Sequence, residues 1–349
     1  MKELKKEPIF FRRNRVFRVY SGGKLFHDFF GDKAEDGNYP EEWVVSGVKA
    51  LNKNPSSSKE GISITEDGTY FDDLIASYPA EMLGDCKGWR VLVKILDSAI
   101  RLPAQAHPDR EFSRKYFHSE FGKTECWVIL ATRENASIFF GFNKELTDEE
   151  FADAIERSET DPDCMEKLLT RLPVKPGDIY LIPSGVAHAI GAGCLLLEVQ
   201  EPTDFTVQPE AWCGDYHLSD FEMYLGLEHN TARKCFDLGM WGDRAVAAGR
   251  KYPRTLRENE DVHTEILIDS GDTPLFSILR HTVRQSLILH DAPGVYIVTE
   301  GEGNLRFSGK SRSLKKGDYF FLPHFAKDVC TVEGSLQLME CLPEGVKPE

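Results

Sequence analysis

Positive charge is what this chain is short of. Against 57 aspartates and glutamates it carries 42 lysines and arginines, a formal net charge of −15 over 349 residues. Nucleic-acid backbones and anionic membranes are held by clustered cations, so neither is an expected partner. An anionic ligand would have to meet a local basic pocket. Long apolar runs are missing too: the stretch from Val91 to Leu96 is interrupted by Lys94 and is too short to span a bilayer. The eight cysteines include no C-x-x-C pair, and several sit inside apolar runs, as reduced core cysteines do. The opening segment, Met1 to Glu7, mixes charges without an apolar stretch behind it, so no signal peptide is expected. A cytoplasmic location follows from these lacks.

What is present is β-rich. Apolar residues make up 41% and charged residues 28%, the composition of an ordinary globular chain long enough for two domains. Short runs bounded by Gly, Pro and Asp recur: 89–95, 125–132, 136–142, 179–183, 194–200, 276–280, 294–299, 318–323 and 335–341. Many short strands with turn signals between them predict a sandwich or barrel. One stretch departs from this. Thr147-Asp148-Glu149-Glu150 has the form of a capping box, followed by Phe151, Ala154 and Ile155 at helical spacing. Asp161-Pro162 is a second helix start, with Met165, Leu168 and Leu169 behind it, so residues 147–172 are expected to be a helical insertion. Residues 219–237 are a further helical candidate, and 241–262 reads as a loop-rich connection.

An internal repeat organises the rest. Val174-Lys-Pro-Gly-Asp-Ile-Tyr-Leu-Ile-Pro183 matches Leu314-Lys-Lys-Gly-Asp-Tyr-Phe-Phe-Leu-Pro323 position by position. Five residues beyond the proline the first copy has His188 and the second has Asp328. The second copy therefore keeps the scaffold and lacks the histidine, which places the chemistry in the first half.

Three separated stretches of that half carry the polar groups of interest. In Gln105-Ala106-His107-Pro108, Gln105 and His107 stand at i and i+2 and share one face of an extended segment. Glu125 opens the next strand, and His188 follows a Pro-x-Gly turn that aims its ring inward. Taken singly, each histidine reads as a hydrogen-bonded core residue and Glu125 as a surface charge. Taken together, one amide oxygen, two imidazoles and one carboxylate form an N/O donor set that suits Zn²⁺, with Fe²⁺, Mn²⁺ or Co²⁺ as alternatives.

These residues resemble the class I phosphomannose isomerases of the cupin superfamily, specifically the short bacterial type. The resemblance covers most of the chain and rests on Gly22-Gly23-Lys24-Leu25, Glu41-Glu42-Trp43, Gln105-Ala106-His107-Pro108, Gly122-Lys123-Thr124-Glu125-Cys126-Trp127, His188-Ala189-Ile190-Gly191 and Leu195 to Gln200. It implies a mainly β fold of two cupin-type β-barrels (jelly rolls). A catalytic domain would span 1–240, with the helical insertion at about 144–173, and a degenerate cupin-like β domain would span 241–349. It implies one Zn²⁺ per chain on Gln105, His107, Glu125 and His188. The implied activity interconverts mannose 6-phosphate and fructose 6-phosphate through a cis-enediolate. Glu198 and Asp204 match acidic active-site positions, and Lys123 matches a lysine assigned to the substrate's charged end. The expected partner is a sugar or sugar phosphate, and the expected state a monomer or weak homodimer. Two positions depart from the family's pattern. Gln208 stands where an arginine is usual, and Pro103 where a phosphate-contacting serine is common. A neutral amide is no cation, and proline has neither a hydroxyl nor an N–H. The departures leave a different or unphosphorylated sugar, or a weakly active sugar-binding metal cupin, as alternatives. Arg101 and Arg110 are the neighbours that could compensate at the phosphate.

Overall fold

Two large antiparallel sheets carry the fold, and each borrows one strand from the other end of the chain. The computed structural model describes residues 5–348, so the first four residues of the charged opening segment lie outside it. In chain order the strands are β1 (Ile9–Phe10), β2 (Arg15–Val16), β3 (Glu41–Val44), β4 (Leu92–Asp97), β5 (Glu125–Thr132), β6 (Ser137–Phe142), β7 (Leu169–Pro173), β8 (Ile179–Ile182), β9 (His188–Ile190) and β10 (Cys194–Gln200). A ribbon of β11 (Trp212–Cys213) and β12 (Tyr216–His217) follows. Then come β13 (Arg250–Lys251), β14 (Arg254–Glu258), β15 (Val262–Ile268), β16 (Phe276–Val283), β17 (Ser286–Ile288), β18 (Gly294–Phe307), β19 (Lys310–Lys315), β20 (Tyr319–Leu322) and β21 (Cys330–Pro343).

The first sheet has the order β13-β8-β5-β10-β4-β3-β2, and a small sheet β7-β6-β9 accompanies it. The second sheet runs β1-β20-β18-β21-β16-β15-β14, with β17 on β21 and β19 on β18. The mainly β fold expected from the sequence is the fold observed.

Side-chain alternation with period two explains how the layers stack. On the first sheet Trp127, Ile129, Tyr180, Ile182 and Leu196 join Ile138, Phe140 and Ile190 of the small sheet in one core. The opposite face, with Cys126, Val128, Ile179, Leu181 and Leu197, packs on Ile278, Val295, Ile297, Phe321 and Met339 of the second sheet. The far face of that second sheet buries Tyr296, Val298, Phe320, Leu322 and Leu338 in a third cluster. Burial of apolar area at about 25 cal/mol per Å² makes these shared faces the main source of stability.

The helical expectations are met in part. The capping box is present: Glu150 N–H donates to the Thr147 hydroxyl, and Thr147 N–H to the Glu150 carboxylate, opening a helix over Asp148–Ser158. The second start, at Asp161-Pro162, yields only a 3₁₀ turn at Glu166–Leu168. Leu169–Pro173 is then strand β7, because it pairs with β6. Residues 219–237 hold two short helices, Asp220–Tyr224 and His229–Arg233. The loop expected at 241–262 is instead a helix, Gly242–Gly249, and strands β13 and β14. Ala245 and Gly249 of that helix are buried, and its small residues allow close approach to β6 and β8: a Cβ on Gly249 would lie 2.3 Å from Phe140.

The internal repeat extends beyond the ten residues visible in the sequence. Trp43, Lys94, Glu198, Trp127 and Tyr180 form one cross-strand row on the first sheet. Ile266, Leu279, Glu340, Tyr296 and Phe320 form the corresponding row on the second. Glu125 pairs with Ile182, and Gly294 stands opposite Leu322 in the matching register. So the second sheet has glycine where the first has Glu125, and an exposed His290–Asp328 pair at 2.7 Å beside the place of His188.

Candidate active site and metal centre

Four elements bring the sequence-selected donors together. Gln105 and His188 form an antiparallel bridge, each backbone N–H donating to the other's carbonyl at 2.9 Å. Ala106 bridges to Val207, which fixes the extended path that carries His107. Glu125 stands on the inward face of β5. His107, Glu125 and His188 are all buried, with ligand atoms within 4.8 Å of one another.

Hydrogen bonds behind the rings set their tautomers. His107 Nδ1–H donates to the Phe205 carbonyl at 3.0 Å, and His188 Nδ1–H donates to the Val186 carbonyl at 2.8 Å. A carbonyl only accepts, so both protons sit on Nδ1 and both Nε2 atoms present lone pairs. Those atoms face each other at 3.2 Å. Two converging lone pairs repel unless a cation stands beside them, and in this structure the Lys123 ammonium does so, 2.7 Å from His107 Nε2. Burial, and then the charge of Lys123, pushes His107 down to about 3; burial pushes His188 down to about 4. Both rings are therefore neutral at ordinary pH, the state a metal requires.

Several of the spacings approach those around a tetrahedral ion. Bonds of about 2.0–2.1 Å imply donor-to-donor edges of about 3.3 Å. His107 Nε2 to Glu125 Oε2 is 3.2 Å, His188 Nε2 to Glu125 Oε1 is 3.6 Å, and the Gln105 amide lies 3.3 Å from His188 Nε2. Rotating that amide presents its oxygen instead of its nitrogen. Glu125 Oε1 is buried without a hydrogen-bond partner. Burial opposes the charge of Glu125, yet Lys123 and His107 hold its carboxyl well below the usual range. The donor set fits a divalent metal.

Beside Gln105 and Lys123 opens a cavity of about 350 Å³, also lined by Lys94, Glu198, Asp204, Gln208 and Pro103 among others. Its volume lies at the lower end of small-ligand sites. Lys123 points into the donor cluster, donating to His107 Nε2 at 2.7 Å and to Glu125 Oε2 at 2.8 Å. Glu198 accepts from Trp127 Nε1 at 3.2 Å and pairs with Lys94 at 2.9 Å. Burial, and next the charge of Glu125, pushes the Glu198 carboxyl up. Asp204 forms the wall, accepting from Arg18 at 2.9 Å and from the Leu51 N–H at 2.8 Å. Gln208 donates its amide to the Glu222 carbonyl at 2.9 Å.

The compensating arginines are elsewhere. Arg101 pairs with Glu210 and Glu166, Arg110 with Glu201 and Glu344, and neither lines the cavity.

The sequence reading missed Lys94, Glu41 and Arg18 as site residues. Glu41 accepts from Tyr20 OH at 2.7 Å, Trp43 Nε1 at 2.6 Å and Arg18 Nε at 3.0 Å, and Lys94 Nζ lies 3.7 Å away. The available signal was a charge inside an apolar strand: Lys94 interrupts Val91–Leu96, and a lysine is rarely fully buried unless paired.

No protein-family model matches the chain. Curated proteins do. It is 30% identical over 330 residues to mannose-6-phosphate isomerase ManA of Bacillus subtilis, covering 91% of this chain and 93% of that one. It is 28% identical over 344 residues to mannose-6-phosphate isomerase of Streptococcus mutans, covering 95% and 97%. Among solved structures, the Bacillus subtilis mannose 6-phosphate isomerase superposes with a TM-score of 0.75 at 25% identity, covering 96% of this chain and 99% of that one. With 30% identity over nine-tenths of its length, the chain belongs to the mannose-6-phosphate isomerase family, a family of sugar-phosphate isomerases.

Proposed function

We propose that the chain interconverts mannose 6-phosphate and fructose 6-phosphate through a cis-enediolate, with one Zn²⁺ on Gln105, His107, Glu125 and His188. The observation that carries this is the pair of Nε2 lone pairs 3.2 Å apart, locked by their Nδ1–H bonds, beside a buried carboxylate and near a cavity. When bound, the metal supplies a positive centre that polarises the sugar oxygens and offsets developing negative charge.

The residues do the rest. Glu198 is the proton carrier: its carboxylate takes the C2 proton of the aldose and returns it to C1, while the proton of the C2 hydroxyl passes to the C1 oxygen, giving the ketose with no net change in the enzyme. A carboxyl pushed up by burial is suited to both halves of that exchange. Trp127 and Lys94 hold Glu198 by its two oxygens. Lys123 bonds His107 and Glu125 in this structure; where those two hold the metal, its ammonium is released to donate to a sugar oxygen at the cavity floor. Asp204, oriented by Arg18, and Gln208, fixed by Glu222, form the wall that positions the sugar. The same reading places the protein in the cytoplasm as a monomer or weak dimer. No helix among the described residues is long and apolar enough to cross a membrane.

A coupled assay with mannose 6-phosphate, with and without chelator, tests this. Turnover that is abolished by chelation and restored by Zn²⁺ is expected, and absence of turnover in the Zn²⁺-loaded protein overturns it. One observation favours a second reading, an unphosphorylated sugar. Arg18, Lys94 and Lys123 at the cavity are each already paired with carboxylates. Free mannose and fructose in the same assay distinguish the two.

A further inference from the structure

The cavity needs a contact for a phosphate, and the expected candidates do not supply one. Pro103 lines the wall without a donor, and Arg101 and Arg110 are held elsewhere by carboxylates. Four cations line the cavity: Arg18, Lys53, Lys94 and Lys123. Arg18 is held by Glu41 and Asp204, Lys94 by Glu198, and Lys123 by Glu125. Lys53 has no ion pair to any described residue and stands exposed at the mouth.

Its loop is anchored to the site. Leu51 N–H donates to Asp204 at 2.8 Å, and Arg18 donates to the Asn52 side-chain oxygen at 3.0 Å. The Asn52 amide and the Ser56 N–H both donate to Glu60, at 2.9 and 2.7 Å, which closes the loop on itself. Lys53 and Asn54 lie between these anchors and border the same cavity. The buried guanidinium of Arg18 thus ties the wall of the proton-transfer site to the loop that carries the free ammonium.

We infer that Lys53, assisted by the Asn54 amide, receives the phosphate of the substrate at the mouth of the cavity. This rests on the proposed activity and assigns its specificity for a phosphorylated sugar to the loop over residues 51–56. An ammonium on a phosphate is a charge-assisted contact, and an exposed one is screened by salt.

The test is Lys53→Ala beside Lys53→Arg. For Lys53→Ala, KM for mannose 6-phosphate is expected to rise about tenfold, KM carrying the larger part of the loss, while Lys53→Arg recovers most of it. The Ki of inorganic phosphate as a competitive inhibitor should rise in proportion, and both effects should shrink in 0.5 M salt, where the Debye length is roughly 4 Å. An unchanged KM and phosphate Ki in Lys53→Ala, with the parent active, overturns the inference and leaves the proposed activity standing. If the parent turns over no mannose 6-phosphate, the activity fails instead. Phosphate-dependent thermal stabilisation of the parent still reads Lys53: loss of it in Lys53→Ala supports the phosphate site, and its retention overturns it.

Discussion

Lys94 and Glu198 are cross-strand partners on β4 and β10, both buried, with Nζ 2.9 Å from Oε1. The pair lies on the inward face of the first sheet, in one row with Trp43 and Trp127. Burial works against the charge of Lys94, yet Glu198 and Glu41 hold its ammonium above the ordinary range. Burial and Glu125 push Glu198 up at the same time. The pair therefore keeps a proton close to the cavity, on a rigid strand rather than on a loop.

Lys94→Met is the first test of that pair. It removes the charge and keeps the length. Glu198 loses the neighbour that favours its ionised form, so its carboxyl rises further. If Glu198 carries the proton as proposed, it must start ionised, and the acid-side limb of kcat/KM is expected to move to higher pH. At pH 7 activity should fall about tenfold for each unit by which the carboxyl rises above that pH, and recover as pH rises. Steady-state kinetics from pH 5 to 9 checks this. A uniform loss with an unshifted limb would assign Lys94 a purely structural role.

Metal removal is expected to act on stability as well as on rate. A ligand at about 1,000 times its Kd stabilises the folded state by about 4 kcal/mol. Chelation is expected to lower Tm and abolish turnover together, and Zn²⁺ to restore both. His188→Ala should purify with well under one metal per chain by elemental analysis and show no Tm response to Zn²⁺.

How far the sequence shows this site depends on what fixes each residue. The grouping of His107, Glu125 and His188 is legible because such residue types are scarce in buried segments and because the second repeat has Asp328 in the place of His188. The strands Glu125–Thr132 and Cys194–Gln200 have the bounds their apolar runs predict. Lys94 and Glu41 were hidden because a single charge in a strand does not reveal which strand lies beside it. Cross-strand register, which pairs Lys94 with Glu198, is a tertiary property. The same holds for Leu169–Pro173: Met165, Leu168 and Leu169 have helical spacing, but pairing with Ser137–Phe142 overrides it.

Glu41 offers a pH test away from the donors. It is buried, and burial opposes its charge, but Arg18, Lys94 and the bond from Trp43 hold its carboxyl well below the ordinary value of 4.5. A carboxyl lowered in the folded state contributes stability that is present above the unfolded value and is lost as pH falls below it. Glu41→Gln is expected to cost on the order of 2 kcal/mol at pH 7, a charged hydrogen-bond contribution. The Tm gap between the parent and Glu41→Gln should close as pH drops below 4.5. A gap independent of pH would show that packing, not charge, is what Glu41 contributes.

Gln208 tests whether the arginine expected there from the resemblance matters here. Its amide donates to the Glu222 carbonyl and so ties the cavity wall to the helix Asp220–Tyr224. If the site is active as it stands, Gln208→Arg changes kcat/KM for mannose 6-phosphate by less than about tenfold, under 1.4 kcal/mol. A gain of two orders of magnitude would instead mean that the native cavity is a weakened isomerase site.

The repeat itself can be tested at its shared turn. Gly177 and Gly317 occupy the same position in the two copies, with φ of 91° and 84°. Any L-residue there meets the left-handed penalty of roughly 1–2 kcal/mol. Their surroundings differ. A Cβ on Gly177 meets nothing within 4 Å, whereas one on Gly317 would lie 2.4 Å from the Phe29 carbonyl oxygen and 2.7 Å from Phe30 Cα. Those are backbone atoms of the helix Phe26–Phe30, which cannot step aside as a side chain could. Gly177→Ala should therefore show only the conformational penalty, while Gly317→Ala should lower Tm at least twice as far. Gly317→Ala should do so with metal content unchanged, since the turn lies in the copy without donors. Equal shifts in the two variants would mean that the contact between the second repeat and Phe26–Phe30 yields at little cost.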